Sequence, residues 1–130
     1  MGFAPKFYDD GGHAPFEYLP VTTSETIALG EALVLSSGKL TKCGATAAPT
    51  YIAMEPVTSA PAGTKIAVIR VQKNVIYETE LKAASASIAA GAKYTLHTDG
   101  LGITATTTSG VAEVVDWDGK ASGDAVRVRF

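Results

Sequence analysis

The chain has 130 residues, 46% of them hydrophobic, enough for one domain with its own core and too apolar for a disordered chain. Its formal net charge is -2 and its 11 basic residues form no dense cluster, which argues against nucleic acid binding by phosphate neutralisation. No apolar run is long enough to cross a bilayer, and no basic region followed by an apolar run marks a secretory leader, so folding in the cytoplasm of the producing cell is expected. The single cysteine, Cys43, cannot form an internal disulfide or a CxxC metal site and reads as a small half-buried side chain.

Residues 1–20 differ from the rest. Met1 to Pro20 holds three prolines, three glycines and five of the nine Phe and Tyr residues. The prolines and the Gly11-Gly12 pair deny this stretch a regular helix or a central strand. The aromatics deny it the composition of a solvated tail. An extended arm follows, with Phe3, Phe7, Tyr8, Phe16 and Tyr18 as anchors, docked either on a partner or on its own domain.

From residue 21 the chain reads as short strands divided by turns, a single β domain. Val21 to Thr26 suggests a first strand. Glu31 to Leu35 and Lys39 to Lys42 form a hairpin around Ser36-Ser37-Gly38, and Gly30 before it marks a bulge or tight corner. Tyr51 to Glu55 is a short strand stopped by Pro56. Lys65 to Val71 is apolar on both faces and suits a central strand, followed after Gln72-Lys73-Asn74 by Val75 to Leu81. Lys82 to Ala90 is the only stretch with helical composition, and it lacks a stripe of large residues, so at most a short turn is expected. Lys93 to His97, an Asp99-Gly100 turn, Val111 to Val115 and Ala125 to Phe130 supply further strands. In the last, Val126, Val128 and Phe130 face the core, and Arg127 and Arg129 face outward. Strands at turn spacing with almost no helix predict an all-β fold, a small β-barrel or β-sandwich.

The chain also repeats itself. Ser24, Ile27, Gly30 and Gly38 recur in order as Ser85, Ile88, Gly91 and Gly100. Gly63 to Val71 is answered by Gly123 to Phe130. We read two duplicated β units, about 24–71 and 85–130, with a one-residue shift at hairpin tips from turn insertion.

Catalytic chemistry finds little support. The usual bases are His13, in the arm, and His97, beside a hairpin tip, and neither has a nucleophile in a Gly-x-Ser-x-Gly setting. No glycine-rich loop opens a helix that could cradle phosphate. Asp116-Trp117-Asp118-Gly119 resembles the start of a calcium loop, but the rest of the twelve-residue pattern is missing, so it reads as a solvated turn with Trp117 pinned on the body or on a partner. Asp9-Asp10 reads as a charged turn. The expectation is a non-enzyme with no cofactor and no metal.

The glycine-punctuated segments Gly30 to Lys42, Tyr51-Ile52-Ala53-Met54 and Ala62 to Val71 resemble the small capsid decoration (cement) proteins of tailed bacteriophages, over about residues 21–130. The resemblance implies a virion protein made in the host cytoplasm that binds the outside of an assembled head. It would be a homotrimer at local three-fold positions, clamping major capsid subunits, and would contact neither nucleic acid nor membrane. The aromatic arm lies outside the matching segments. Its Phe3, Phe7, Tyr8, Phe16 and Tyr18 would suit grooves between capsid subunits. The alternative is a carbohydrate- or host-surface-binding module of a fibre or tail, with Trp117, Asp116 and Asp118 as the binding loop and Tyr51 and Tyr94 stacking on sugars.

Overall fold

The structure is a computed structural model that describes residues 2–8 and 15–130; the side chains of Phe7 and Tyr8 lie outside the description. Among the described residues there are strands and turns but no helix, and the Ala-rich stretch after Leu81 forms only bends and turns. The described residues form ten strands in two antiparallel five-stranded sheets, an open sandwich-like arrangement and not a closed barrel.

The first sheet contains β2 (Glu17–Pro20), β3 (Ala32–Ser36), β4 (Lys39–Lys42), β5 (Tyr51–Ala53) and β6 (Lys65–Arg70) in the order β2-β6-β5-β3-β4. The second contains β1 (Ala4–Tyr8), β7 (Val75–Glu80), β8 (Lys93–Tyr94), β9 (Ala112–Trp117) and β10 (Ala125–Arg129) in the order β1-β7-β10-β9-β8. β6 sits between two neighbours, as its two apolar faces predict, with Ile66 to Ile69 all buried.

The strand registers reproduce the sequence repeat. In the first sheet Leu33 pairs with Tyr51; in the second Tyr94 pairs with Ala112, each 61 residues on. Ala53 opposite Val68 becomes Val114 opposite Val128. The match extends further back than the sequence indicates. Glu17, Tyr18, Leu19 and Pro20 pair with Val68 to Lys65 as Tyr77, Glu78, Thr79 and Glu80 pair with Val128 to Ala125, each 60 residues on. The parallel bridge Val21–Leu40 recurs as Leu81–Ile103. The repeated units therefore start at Glu17 and Tyr77, where sequence identity has faded but the backbone register has not.

The two units bury their outer faces differently. Ile52 opposite Ile69 in the first unit corresponds to Glu113 opposite Arg129 in the second. The isoleucines are fully buried in the larger core cluster, together with residues of the second sheet, whereas the Glu113–Arg129 pair is partly exposed. Each unit also packs its own interior. In the first it is built on Leu33, Leu40, Ile66 and Val68; in the second the equivalent positions are Tyr94, Ile103, Val126 and Val128.

Two expectations about the N-terminus need correction. Val21 to Thr26 is not the first strand: only Val21 makes a bridge, and the strand ends at Pro20. Of the two dockings open to the first 20 residues, their described parts take the one on their own domain: Ala4–Tyr8 and Glu17–Pro20 supply one edge strand to each sheet. Proline tolerates such edges when its missing N–H points away from the neighbour. Phe3 is not a free anchor for a partner: it is 1% exposed, its ring centroid 5.4 Å from that of Phe130, and Phe130 lies 5.6 Å from Tyr77. The Phe3 N–H donates to the Gly30 carbonyl at 2.8 Å. That approach requires glycine on both sides: Gly30 has a φ of +80°, and a Cβ there would lie 2.9 Å from the Gly2 Cα.

Phe3→Ala should therefore cost about 3 kcal/mol of unfolding free energy, the range for emptying a buried aromatic site. Gly30→Ala should destabilise in the same direction by breaking the close approach. Equilibrium denaturant unfolding checks both; an unchanged midpoint for Phe3→Ala would mean that β1 is not part of the cooperative fold.

Candidate functional site: an exposed aromatic edge and the cleft beside it

β2 carries the largest exposed aromatic surface among the described residues. Phe16, just before the strand, is 57% exposed and Tyr18 is 62% exposed. They are two residues apart and so project to the same side of an extended chain. Glu17, between them, pairs instead with Arg70 at the end of the neighbouring β6, at 3.4 Å.

Arg70 links this edge to a cleft of about 400 Å3 lined by Val34, Leu35, Pro49, Thr50, Tyr51, Arg70 and Val71. Its guanidinium lies 5.8 Å from the centre of the Tyr51 ring, and its Nη2 donates to the Tyr51 hydroxyl at 3.4 Å. The Glu17 carboxylate first, then Tyr51, holds the Arg70 pKa above its ordinary value. The cleft is mostly apolar with one fixed cation at its rim, and Leu35 adds a 43% exposed side chain to it. Such a surface suits binding of apolar or aromatic groups.

The Trp117 loop is organised otherwise than the sequence suggests. Asp116 and Trp117 lie on β9, and only Asp118 follows it. Both acids accept from Arg127: Nε reaches Asp116 Oδ2 at 3.0 Å and Nη2 reaches Asp118 Oδ1 at 2.6 Å. Nη1 donates to Glu78 Oε2 at 3.1 Å. Arg127 thus does not face freely outward: with 12% of its side chain exposed, it binds three carboxylates. Its guanidinium in turn holds the Asp118 carboxyl below the usual carboxylate range. The acids proposed for a ligand are committed to a cross-strand ion cluster.

The remaining aromatics of the glycan reading are not a stacking platform. Trp117 is half-buried against the core, and Tyr94 and Tyr51 are 2% and 7% exposed. Among the described residues no group of three or more His, Cys, Asp and Glu side chains could hold a metal ion.

Of the arm residues, the structure brings only Phe16 and Tyr18 together on the surface. Phe3 is in the core, and the side chains of Phe7 and Tyr8, like Asp9, Asp10 and His13, lie outside the described residues. Arg70 and the cleft were missed by sequence reasoning, which singled out Tyr51 only as a residue to stack on sugars. Arg70 reads as one charged end of a buried strand, and only the pairing of β2 with β6 brings Glu17 to it.

His97 shares a charged corner with Asp99, whose Oδ1 is 3.0 Å from its Nδ1, and Lys82 reaches both Asp99 and Glu80 at 3.4 and 2.9 Å. Cys43 is buried, its Sγ donating to the Ala47 carbonyl at 3.0 Å, and burial pushes its pKa up to about 11. It is a thiol, not a nucleophilic thiolate, at neutral pH.

No protein-family model matches the chain, and no curated protein matches it.

Two measurements check these assignments. Alkylation of Cys43 at pH 8 should be at least about tenfold slower in the folded protein than in denaturant, because the thiolate fraction falls about a hundredfold while the more basic thiolate regains only part of that in nucleophilicity. Because the folded state holds this proton more tightly, its contribution to stability is present below the ordinary thiol pKa and is lost as pH rises toward about 11. For the ion cluster, Asp118 should titrate by NMR below the usual carboxylate range, and Arg127→Gln should move it upward. The sign is the opposite of that for Cys43: the cluster's contribution is present above the ordinary carboxylate pKa and is lost as pH falls through the lowered one. An Asp118 that titrates normally in the wild type would remove the assignment.

Proposed function

We propose that this chain is a structural virion protein that binds the outer surface of a phage head and stabilises it by bridging neighbouring major capsid subunits. It acts there as a homo-oligomer, a trimer at local three-fold positions, and is made in the host cytoplasm. The observation that carries the reading is the exposed Phe16 and Tyr18 pair on a strand of the body, beside an apolar cleft with Arg70 at its rim. Large aromatic side chains left in water on a small domain favour an occupied surface over a free one. The resemblance of the glycine-punctuated hairpins to capsid decoration proteins supplies the partner class.

The physical scheme is adhesion by repetition. A compact all-β body fixes the two aromatics without ordering a loop on binding, which limits the entropic cost of association. Each seat contributes modestly. When one oligomer engages several capsid subunits at once, the second and third contacts form at high effective concentration, and the shell is held together at its subunit boundaries. No step in this scheme needs a cofactor, a metal or a catalytic group.

The test is binding of the purified protein to expanded, decoration-free heads of the phage that encodes it, measured by co-sedimentation. Phe16→Ala with Tyr18→Ala should weaken binding at least about tenfold while thermal unfolding stays within a few degrees of the wild type. Failure of folded wild-type protein to bind such heads at micromolar concentration would refute the reading.

A further inference from the structure

The repeat makes a comparison within one molecule possible. β7 of the second sheet and β2 of the first occupy the same place, since Tyr77 to Glu80 correspond to Glu17 to Pro20 in register. On its outer side β7 is covered: β1 pairs with it, Ala4 opposite Glu78 and Phe7 opposite Ile76. On its outer side β2 has no strand among the described residues.

The groups that β2 presents there follow from the ladder. The Val21 N–H donates to the Thr64 carbonyl at 2.9 Å, and in an antiparallel pair such positions alternate. Leu19 and Glu17 therefore bond inward to β6, and the backbone groups of Phe16, Tyr18 and Pro20 point outward. Pro20, with no N–H to offer, sits where a missing donor costs the fold nothing.

Free edges are usually protected by proline, charge or a bulge. The outer edge of β1 has all three: Pro5, the half-exposed Lys6 and a register shift between Pro5 and Phe7. The edge of β4 is covered in part by the chain after β2, through the Val21–Leu40 bridge and a Thr22 N–H donating to the Leu40 carbonyl at 3.0 Å. β2 between Phe16 and Tyr18 has no charged side chain pointing to the aromatic side, no bulge, and its only proline is at the far end.

We propose that the outer edge of β2 pairs antiparallel with the same edge of a second copy of this chain, across a two-fold axis at Tyr18. The edge is complementary to itself. Tyr18 N–H and C=O meet those of the partner's Tyr18, and Phe16 N–H meets the carbonyl of Pro20 in the other copy, about four backbone hydrogen bonds in all. Like charges are not opposed, because Glu17 projects to the other side and is neutralised by Arg70 of its own chain. Cross-strand aromatic neighbours add to the pairing. The two first sheets become one continuous sheet, and the exposed rings of both copies merge into one larger aromatic patch on its face. The inference uses backbone groups in the plane of the sheet and does not rest on the shell-binding reading, which uses side chains on its face.

The test needs no capsid. Light scattering of the full chain is compared for wild type, Tyr18→Val and Tyr18→Pro. Valine removes the ring and keeps the N–H; proline removes the outward N–H while the inward bonds of Glu17 and Leu19 remain. Wild type should have an even number of copies, a dimer or, where the three-fold contacts of the shell-bound trimer also form in solution, a hexamer; Tyr18→Val should keep that state with weaker association, and Tyr18→Pro should lower the mass about twofold, to a monomer or a trimer. A single-chain mass for wild type at millimolar concentration, or an assembly whose mass Tyr18→Pro leaves unchanged, overturns the proposal.

Hydrogen exchange of the wild type gives a second readout that no variant can spoil by misfolding. The Tyr18 amide should be slowed at least about tenfold as concentration rises through the association range. Fast exchange at every concentration overturns the proposal. Protection that arises only when heads are added does so too, and assigns the edge to a shell segment.

Discussion

The register of the two central strands is the constraint on which the rest of this structure depends. β6 and β10 each hold a strand on both sides, and their alternation puts Ile66 and Val68, or Val126 and Val128, into the interior of their own unit. A slip of one residue would turn those side chains to the opposite face of their sheets and bring Arg127 into the interior of its unit, so the pairing is strongly specified. The same pairing then places every feature of functional interest: Glu17 against Arg70 in one unit, and Arg127 against Asp116 and Glu78 in the other.

On this common frame the units diverge where their surroundings differ. The first unit turns Ile52 and Ile69 into the shared core, whereas the second leaves Glu113 and Arg129 partly exposed. The ends diverge as well. Tyr77 and Phe130 form an aromatic contact that Phe3 completes; the equivalent residues Glu17 and Arg70 form an ion pair beside an open cleft. The second unit is thus sealed by the N-terminal strand, and the first presents its corresponding end and edge at the surface. A duplicated fold can in this way keep one half for stability and expose the other for contact.

The N-terminal stretch joins these two roles. Its early part is drawn into the core by Phe3 and by the close contact of Gly2 with Gly30, and its later part displays Phe16 and Tyr18. The proline and aromatic content that makes it look like an arm is the content expected of edge strands, where a missing N–H is tolerated on the outer side and aromatic rings pack across neighbours.

What the sequence by itself determined is the local grammar. β-branched alternation, glycines at turns and the absence of an amphipathic stripe sufficed for an all-β fold, for the hairpin around Ser37-Gly38 and for the central place of Lys65 to Arg70, because each depends on neighbours a few residues away. The duplication was legible from Ser24 onward, where identical residues mark shared turns. Its true start at Glu17 and Tyr77 was not, since register is held by backbone hydrogen bonds that leave the side chains free to change. Only the tertiary structure decided which aromatics are buried and which are exposed. Phe3 and Tyr18 are alike in the sequence, but one lies over a core end left open by Tyr77 and Phe130 and the other lies on an edge with nothing beyond it. The same holds for Asp116 and Asp118: two acids by a glycine suggest a ligand until a strand brought in at their side supplies Arg127, a partner whose distance along the chain says nothing about its distance in space.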